Sequence, residues 1–130
     1  MPKRVLVVDD EMDVRTFITT LLDSNGYKAL VAENGEQGWR KFQETKPDLV
    51  TLDVMMPKQS GIRMYRDIKT NPEYASVPVL IISGLARKTF LHSQKVLDQF
   101  KGQSVPEPEG YIEKPPEPEE LLAEVQRIIG

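Results

Sequence analysis

The sequence predicts an α/β domain built on a doubly wound, five-stranded parallel sheet in the order 2-1-3-4-5, with five helices. Three observations predict it. Short apolar runs bounded by breakers alternate with segments whose apolar residues recur at the spacing of one helical face, as in successive strand-helix units. The runs Val5–Val8, Leu49–Leu52 and Val77–Ile82 are nearly continuous in apolar residues, as parallel strands covered on both faces must be. The runs Tyr27–Val31 and Tyr111–Glu113 are more polar, and the doubly wound order puts both at the sheet edges.

Taken in order, Arg4–Val8 is the first strand and ends in Asp9-Asp10-Glu11. Val14, Phe17, Ile18, Leu21 and Leu22 then mark one face of a helix that Gly26 stops. The second strand, Tyr27–Val31, carries Lys28, which suits an edge. After the Asn34-Gly35 turn, Gly35–Thr45 has only Trp39 and Phe42 as strong apolar positions and reads as a short, mostly solvated helix. Pro47 precedes the third strand, which delivers Asp53 and a Met-Met-Pro turn. Ser60-Gly61 starts a helix with Ile62, Tyr65 and Ile68 inward, closed by Asn71-Pro72. The fourth strand stops at Ser83-Gly84, and a helix from about Arg87 to Phe100 is expected to anchor through Phe90, Leu91, Leu97 and Phe100. The stretch Lys101–Gly110 is rich in Pro and Glu, which favours an extended, hydrated loop contributing little to the core. After the fifth strand comes Lys114-Pro115-Pro116, then a helix with Leu121, Leu122, Val125, Ile128 and Ile129 in one stripe.

At 130 residues the chain has the usual size of a single domain, and no repeat or linker divides residues 1–130. No purely apolar run exceeds four residues, so no membrane insertion is expected. The absence of Cys agrees with a cytoplasmic setting and removes thiol nucleophiles and zinc-thiolate sites. A net charge of −3 with no basic stripe argues against direct nucleic-acid binding. Trp39 reads as half-buried, Met12, Met56 and Met64 as gap-fillers, and His92 as a surface residue.

The predicted sheet order makes a statement about chemistry. The switch point of such a sheet lies between strands one and three, and ligands bind beyond the carboxyl ends there. Asp9, Asp10 and Asp53 meet at that edge, with Ser83 arriving from strand four and Lys114 from strand five. Each alone has a plain explanation: a helix cap for the Asp and Ser residues, a solvated charge for Lys114. Four strand ends converging on one edge do not. Three carboxylates repel one another unless a cation neutralises them, and an all-oxygen set without His or Cys suits Mg²⁺. Such a site gathers phosphoryl oxygens, and Asp is a nucleophile able to form an acyl phosphate.

The motifs Val-Leu-Val-Val-Asp-Asp-Glu, Leu-Asp-Val-Met-Met-Pro with Ser60-Gly61, Ile-Ile-Ser-Gly and Tyr-Ile-Glu-Lys-Pro together resemble those of response-regulator receiver domains of two-component signalling. The resemblance covers essentially the whole chain and implies a flavodoxin-like fold. It implies that Asp53 is the phosphoacceptor for a histidine kinase or phosphotransfer protein, and that the domain is a switch that assists its own phosphorylation rather than an enzyme. Asp10 would bind Mg²⁺ directly, Asp9 would act beside it, and Met55 would lend its backbone carbonyl. Ser83 would turn toward the phosphoryl group, Lys114 would contact it, and Tyr111 would swing inward as Ser83 moves. A cis Lys114-Pro115 bond and a monomer or phosphorylation-dependent dimer also follow from the resemblance.

Two features depart from the family pattern. The stretch between Ser83 and Lys114 is several residues longer, with the excess in 102–110, and Pro116 stands where an aromatic is common. Two rival functions are an unphosphorylated receiver-like interaction module and a Mg²⁺-dependent phosphohydrolase using Asp53. The complete set of Asp9, Asp10, Asp53, Ser83 and Lys114 argues against the first. The second would require a general acid and an Asp at the position of Met55.

Overall fold

A computed structural model describes residues 1–56 and 61–130. Among them five strands alternate with five helices: β1 (Arg4–Val8), α1 (Met12–Ser24), β2 (Lys28–Ala32), α2 (Gly35–Thr45), β3 (Leu49–Leu52), α3 (Gly61–Lys69), β4 (Val79–Ser83), α4 (Arg87–Lys101), β5 (Gly110–Glu113) and α5 (Pro118–Ile129). The sheet order is β2-β1-β3-β4-β5 with every pairing parallel, as predicted. The Met-Met-Pro turn at Pro57 and the helix-opening Ser60 lie outside the described residues.

Strand side chains alternate between two helical layers, because successive Cβ atoms of a strand point to opposite faces. Leu6, Val8, Val50, Leu52 and Ile81 pack with Phe42 of α2, Met64, Tyr65 and Ile68 of α3, and Phe90 of α4. Val5, Val7, Leu49, Leu80 and Ile82 face Ile18 and Leu22 of α1 and Leu121 and Val125 of α5. With helices on both sides, β1, β3 and β4 leave almost no face for water, which is why these central runs read as continuously apolar.

Several local expectations change. β4 begins at Val79 rather than Val77, and α5 at Pro118, a residue whose missing N–H costs nothing in a first helical turn. α2 is more deeply seated than its sparse apolar residues implied. A Cβ at Gly38 would lie 2.9 Å from Met64 Sδ and 3.0 Å from Val8 Cγ1, so the small residue itself permits the approach. Phe90 anchors α4 as expected, but Phe100 is 85% exposed and anchors nothing. Met12 is exposed as well, whereas Met56 and Met64 are buried.

The larger correction concerns residues 102–110, which are not a hydrated decoration. Val105 is buried in the core cluster that also holds Phe90 and Tyr65. Glu109 accepts from Lys69 Nζ with both oxygens, at 3.0 and 2.9 Å, and from the Val79 amide at 2.8 Å. Glu107 pairs with Arg87 at 3.0 Å. The Pro-Glu alternation does favour extension, but each Glu has found a cation, and Val105 just ahead of them is buried in the core. Tertiary partners outweighed local preference.

Candidate functional site

Backbone hydrogen bonds bring the strand ends level. The Asp9 amide donates to Ala32 O at 3.1 Å, the Asp53 amide to Val8 O at 3.0 Å, and the Lys114 amide to Ser83 O at 2.9 Å. Asp9 and Asp53 therefore stand side by side just past β1 and β3, both almost fully buried at 1% and 2% exposure. Their side chains are held alike. Oδ1 of Asp9 accepts the amide two residues on, from Glu11 at 2.9 Å; Oδ1 of Asp53 accepts the Met55 amide, also at 2.9 Å. Such Asx turns are a local habit of Asp where a strand gives way to a loop. The second oxygen of each is left facing the crevice.

Lys114 enters that crevice from the end of β5. Its Nζ lies 3.0 Å from Asp9 Oδ2, 3.0 Å from Asp53 Oδ2 and 2.8 Å from Glu11 Oε1. One ammonium with three donors thus meets three carboxylates. Burial pushes the Asp9 carboxyl above its ordinary value, opposed by the Glu11 amide and by Lys114. Burial alone would lower Lys114, but the hydrogen bonds to Glu11, Asp9 and Asp53 outweigh it and hold the ammonium above the usual lysine range. The charge of Asp53 adds to the upward push on Asp9, and Lys114 opposes it. The Lys114-Pro115 bond is cis.

Asp9, Asp10, Glu11 and Asp53 each offer a carboxylate oxygen, and these atoms all lie within 4.8 Å of one another. Two of the four residues are buried and two exposed, so the group is open to solvent on one side. An all-carboxylate set with an open side fits a hard divalent cation that keeps part of its water shell.

Ser83 and Tyr111 do not touch the carboxylates by any hydrogen bond found among the described residues. Both instead engage the turn after β4. The Ser83 hydroxyl, fully buried, accepts the Leu85 amide at 3.2 Å, and the Tyr111 hydroxyl donates to the Leu85 carbonyl at 2.6 Å. Burial, then the charges of Glu113 and Asp53, push the Tyr111 phenol up to about 12. Met55 borders the site through its amide and has an exposed side chain. His92 is exposed, as expected.

Two members of this arrangement escaped the sequence reading as site residues. Glu11 stood in plain view in Asp-Asp-Glu; only its ion pair to Lys114, 103 residues away, reveals its part. Leu85 has no chemical signal at all, because it acts through its backbone. A third residue, Gly61, has a positional role: a Cβ there would stand 2.0 Å from the Asp53 carbonyl oxygen and 2.7 Å from Val54 Cα. The start of α3 lies against the backbone of Asp53, and only hydrogen fits between.

Comparison with known proteins agrees with this geometry. The response regulator receiver domain matches residues 5–126. The chain is 32% identical over 127 residues to the phosphate regulon transcriptional regulatory protein PhoB of Pseudomonas aeruginosa, covering 98% of this chain and 52% of that protein. It is 32% identical over 130 residues to the protein Rrf1 of Nitratidesulfovibrio vulgaris, covering 100% of this chain and 85% of that one. It therefore spans about half the length of regulators such as PhoB and most of Rrf1. Among solved structures, the chemotaxis response regulator CheY4 of Vibrio cholerae superposes with a TM-score of 0.81 at 26% identity, over 98% of this chain and 99% of that one. No helix among the described residues is long and apolar enough to cross a membrane. The strand order, the buried aspartates at the carboxyl ends of β1 and β3, and these likenesses place the chain in the family of response regulator receiver domains.

Proposed function

We propose that this receiver domain is a phosphorylation switch in which Asp53 accepts a phosphoryl group from a histidine kinase or phosphotransfer protein. The observation that carries the reading is the triple contact of Lys114 Nζ with Asp53, Asp9 and Glu11 around a carboxylate that is buried yet faces a crevice. An Asp53 oxygen attacks phosphorus, a new P–O bond forms, and the P–N bond to the donor imidazole breaks, returning its electron pair to the ring nitrogen. Lys114 lies where an anionic phosphoryl oxygen on Asp53 would be met by positive charge, which favours transfer through positioning and neutralisation. Asp9, Asp10 and Asp53, with the Met55 carbonyl, are the residues that would hold Mg²⁺. When bound, that ion supplies charge neutralisation for the phosphoryl oxygens.

Ser83 is the hydroxyl that would change partners. Releasing the Leu85 amide to reach a phosphoryl oxygen would free the turn after β4, and Tyr111, bonded to the same Leu85, would move with it. A ligand shifts a two-state equilibrium only by contacting one state better, and this exchange of hydrogen bonds is such a differential contact.

The test is incubation with acetyl phosphate and Mg²⁺, followed by intact-mass and peptide analysis. One added phosphoryl group mapping to Asp53, lost in Asp53→Asn and on chelation, is expected. Full labelling of Asp53→Asn at another residue would overturn the assignment.

A further inference from the structure

The segment between α4 and β5 is fastened to α3 along its length. Gln103 O accepts from Arg66 Nη2 at 3.3 Å, and Arg66 also reaches Gln94 Oε1 and Asp98 Oδ1 of α4, both at 3.0 Å. Pro106 O accepts the Tyr65 hydroxyl. Glu109 is clasped by Lys69, whose side chain is 1% exposed and which also donates to Ala75 O and Val77 O. Between these fastenings Val105 is inserted into the core. Residues 103–109 are a strap that ties α3 and α4 together.

Tyr65, which ties the strap at Pro106, belongs to a row of three aromatic rings. Tyr65 meets Phe90 edge-on, with centroids 5.6 Å apart and an interplanar angle of 78°. Phe90, fully buried, lies 5.6 Å from Tyr111 at 47°. Tyr111 holds the Leu85 carbonyl, whose residue holds Ser83. Contacts therefore run unbroken from Ser83 through Leu85, Tyr111, Phe90 and Tyr65 to Pro106. Close-packed interiors do not deform continuously; they exchange one discrete packing for another. Phe90 has a ring on either side and no solvent to move into, so a displaced Tyr111 leaves it a gap on one side that Tyr65 and the strap must answer.

We infer that the strap is a second output arm of the switch, seated or released according to the position of the Tyr111 ring. Its trigger rests on the phosphorylation reading above, but the coupling itself does not.

The methyl groups of Val105, selectively ¹³C-labelled in the full chain, report whether the strap is seated, because Val105 is buried in the core cluster that also holds Phe90 and Tyr65. In wild type, acetyl phosphate with Mg²⁺ is expected to displace both methyl resonances, with intact mass confirming the label. Tyr111→Phe without phosphate removes the hold on Leu85 and is expected to displace them in the same direction. Tyr65→Phe keeps the ring and removes the tie to Pro106; adding Tyr111→Phe to it is expected to give less further displacement than Tyr111→Phe gives in wild type. Val105 resonances unmoved in Tyr111→Phe, or unmoved in fully labelled wild type, would overturn the inference. If wild type takes no label while Tyr111→Phe still moves Val105, the coupling stands and the phosphorylation reading falls.

Discussion

Tyr111 donates its phenolic proton to the Leu85 carbonyl at 2.6 Å, so the last strand of the sheet holds the turn that follows its neighbour. The bond exists only while the phenol is protonated. With the folded-state value raised to about 12 against an ordinary 10, the neutral phenol is favoured by folding. Its contribution is fully present below pH 10 and is lost as pH rises toward 12. The difference in unfolding free energy between wild type and Tyr111→Phe should shrink over that window, measured by urea denaturation at stepped pH. A constant difference would show that the hydroxyl is not the group that matters.

Lys114 is the cation paired with the side-chain carboxylates of both Asp9 and Asp53, and its side chain is 14% exposed. Removing it leaves two buried carboxylates side by side. Lys114→Ala should therefore lose roughly 3 kcal/mol of stability in chelator, as broken buried ion pairs do. Glu11→Gln, at a side chain 59% exposed, should lose under about 1 kcal/mol. Equal effects would mean that the buried pair is not the stabilising one.

Divalent binding gives a separate readout. If Asp9, Asp10 and Asp53 hold Mg²⁺, the melting temperature should rise with its concentration, by the equivalent of about 2.7 kcal/mol at a hundredfold excess over the dissociation constant. Asp10→Ala should abolish the rise. An identical rise in the variant would place the cation elsewhere.

Gly61 leaves no room beside Asp53. Gly61→Ala forces either α3 or the Asp53 backbone to shift, and overpacking of this kind costs about 1–3 kcal/mol. Acetyl phosphate labelling should slow as well, because the displaced atoms carry the phosphoacceptor. A variant of normal stability and normal labelling rate would show that the contact relaxes freely.

The two ion pairs of the strap differ in burial and should differ in worth. Lys69→Met strands Glu109 and two backbone carbonyls, and should cost about 3 kcal/mol. Arg87→Ala breaks the Arg87–Glu107 pair, whose side chains are 55% and 65% exposed, and should change stability by less than about 0.5 kcal/mol. Urea midpoints of the two variants decide between a buried clasp and a surface decoration.

The sequence by itself determined the architecture and which side chains gather at one edge of the sheet. The identity of β1, β3 and β4 follows from nearly uninterrupted apolar runs, as doubly covered parallel strands require, and that of β2 and β5 from the alternation with helices. Once the sheet order is set, Asp9, Asp10, Asp53, Ser83 and Lys114 must arrive at one edge, because each ends a strand or lies within two residues of its end. What the tertiary structure decided are the matters in which a residue acts through a distant partner or through its backbone. The pairing of Glu11 with Lys114 joins residues 103 apart, and the part played by Leu85 lies in its amide and carbonyl. Phe100 kept the helical spacing of a core residue, yet it is 85% exposed. The strap shows the same limit in reverse. Pro-Glu-Pro-Glu has the local composition of a hydrated loop, yet Lys69 and Tyr65 on α3 hold it against the core. Local composition sets what a segment prefers when alone, and buried charges and open cavities elsewhere in the fold set what it does.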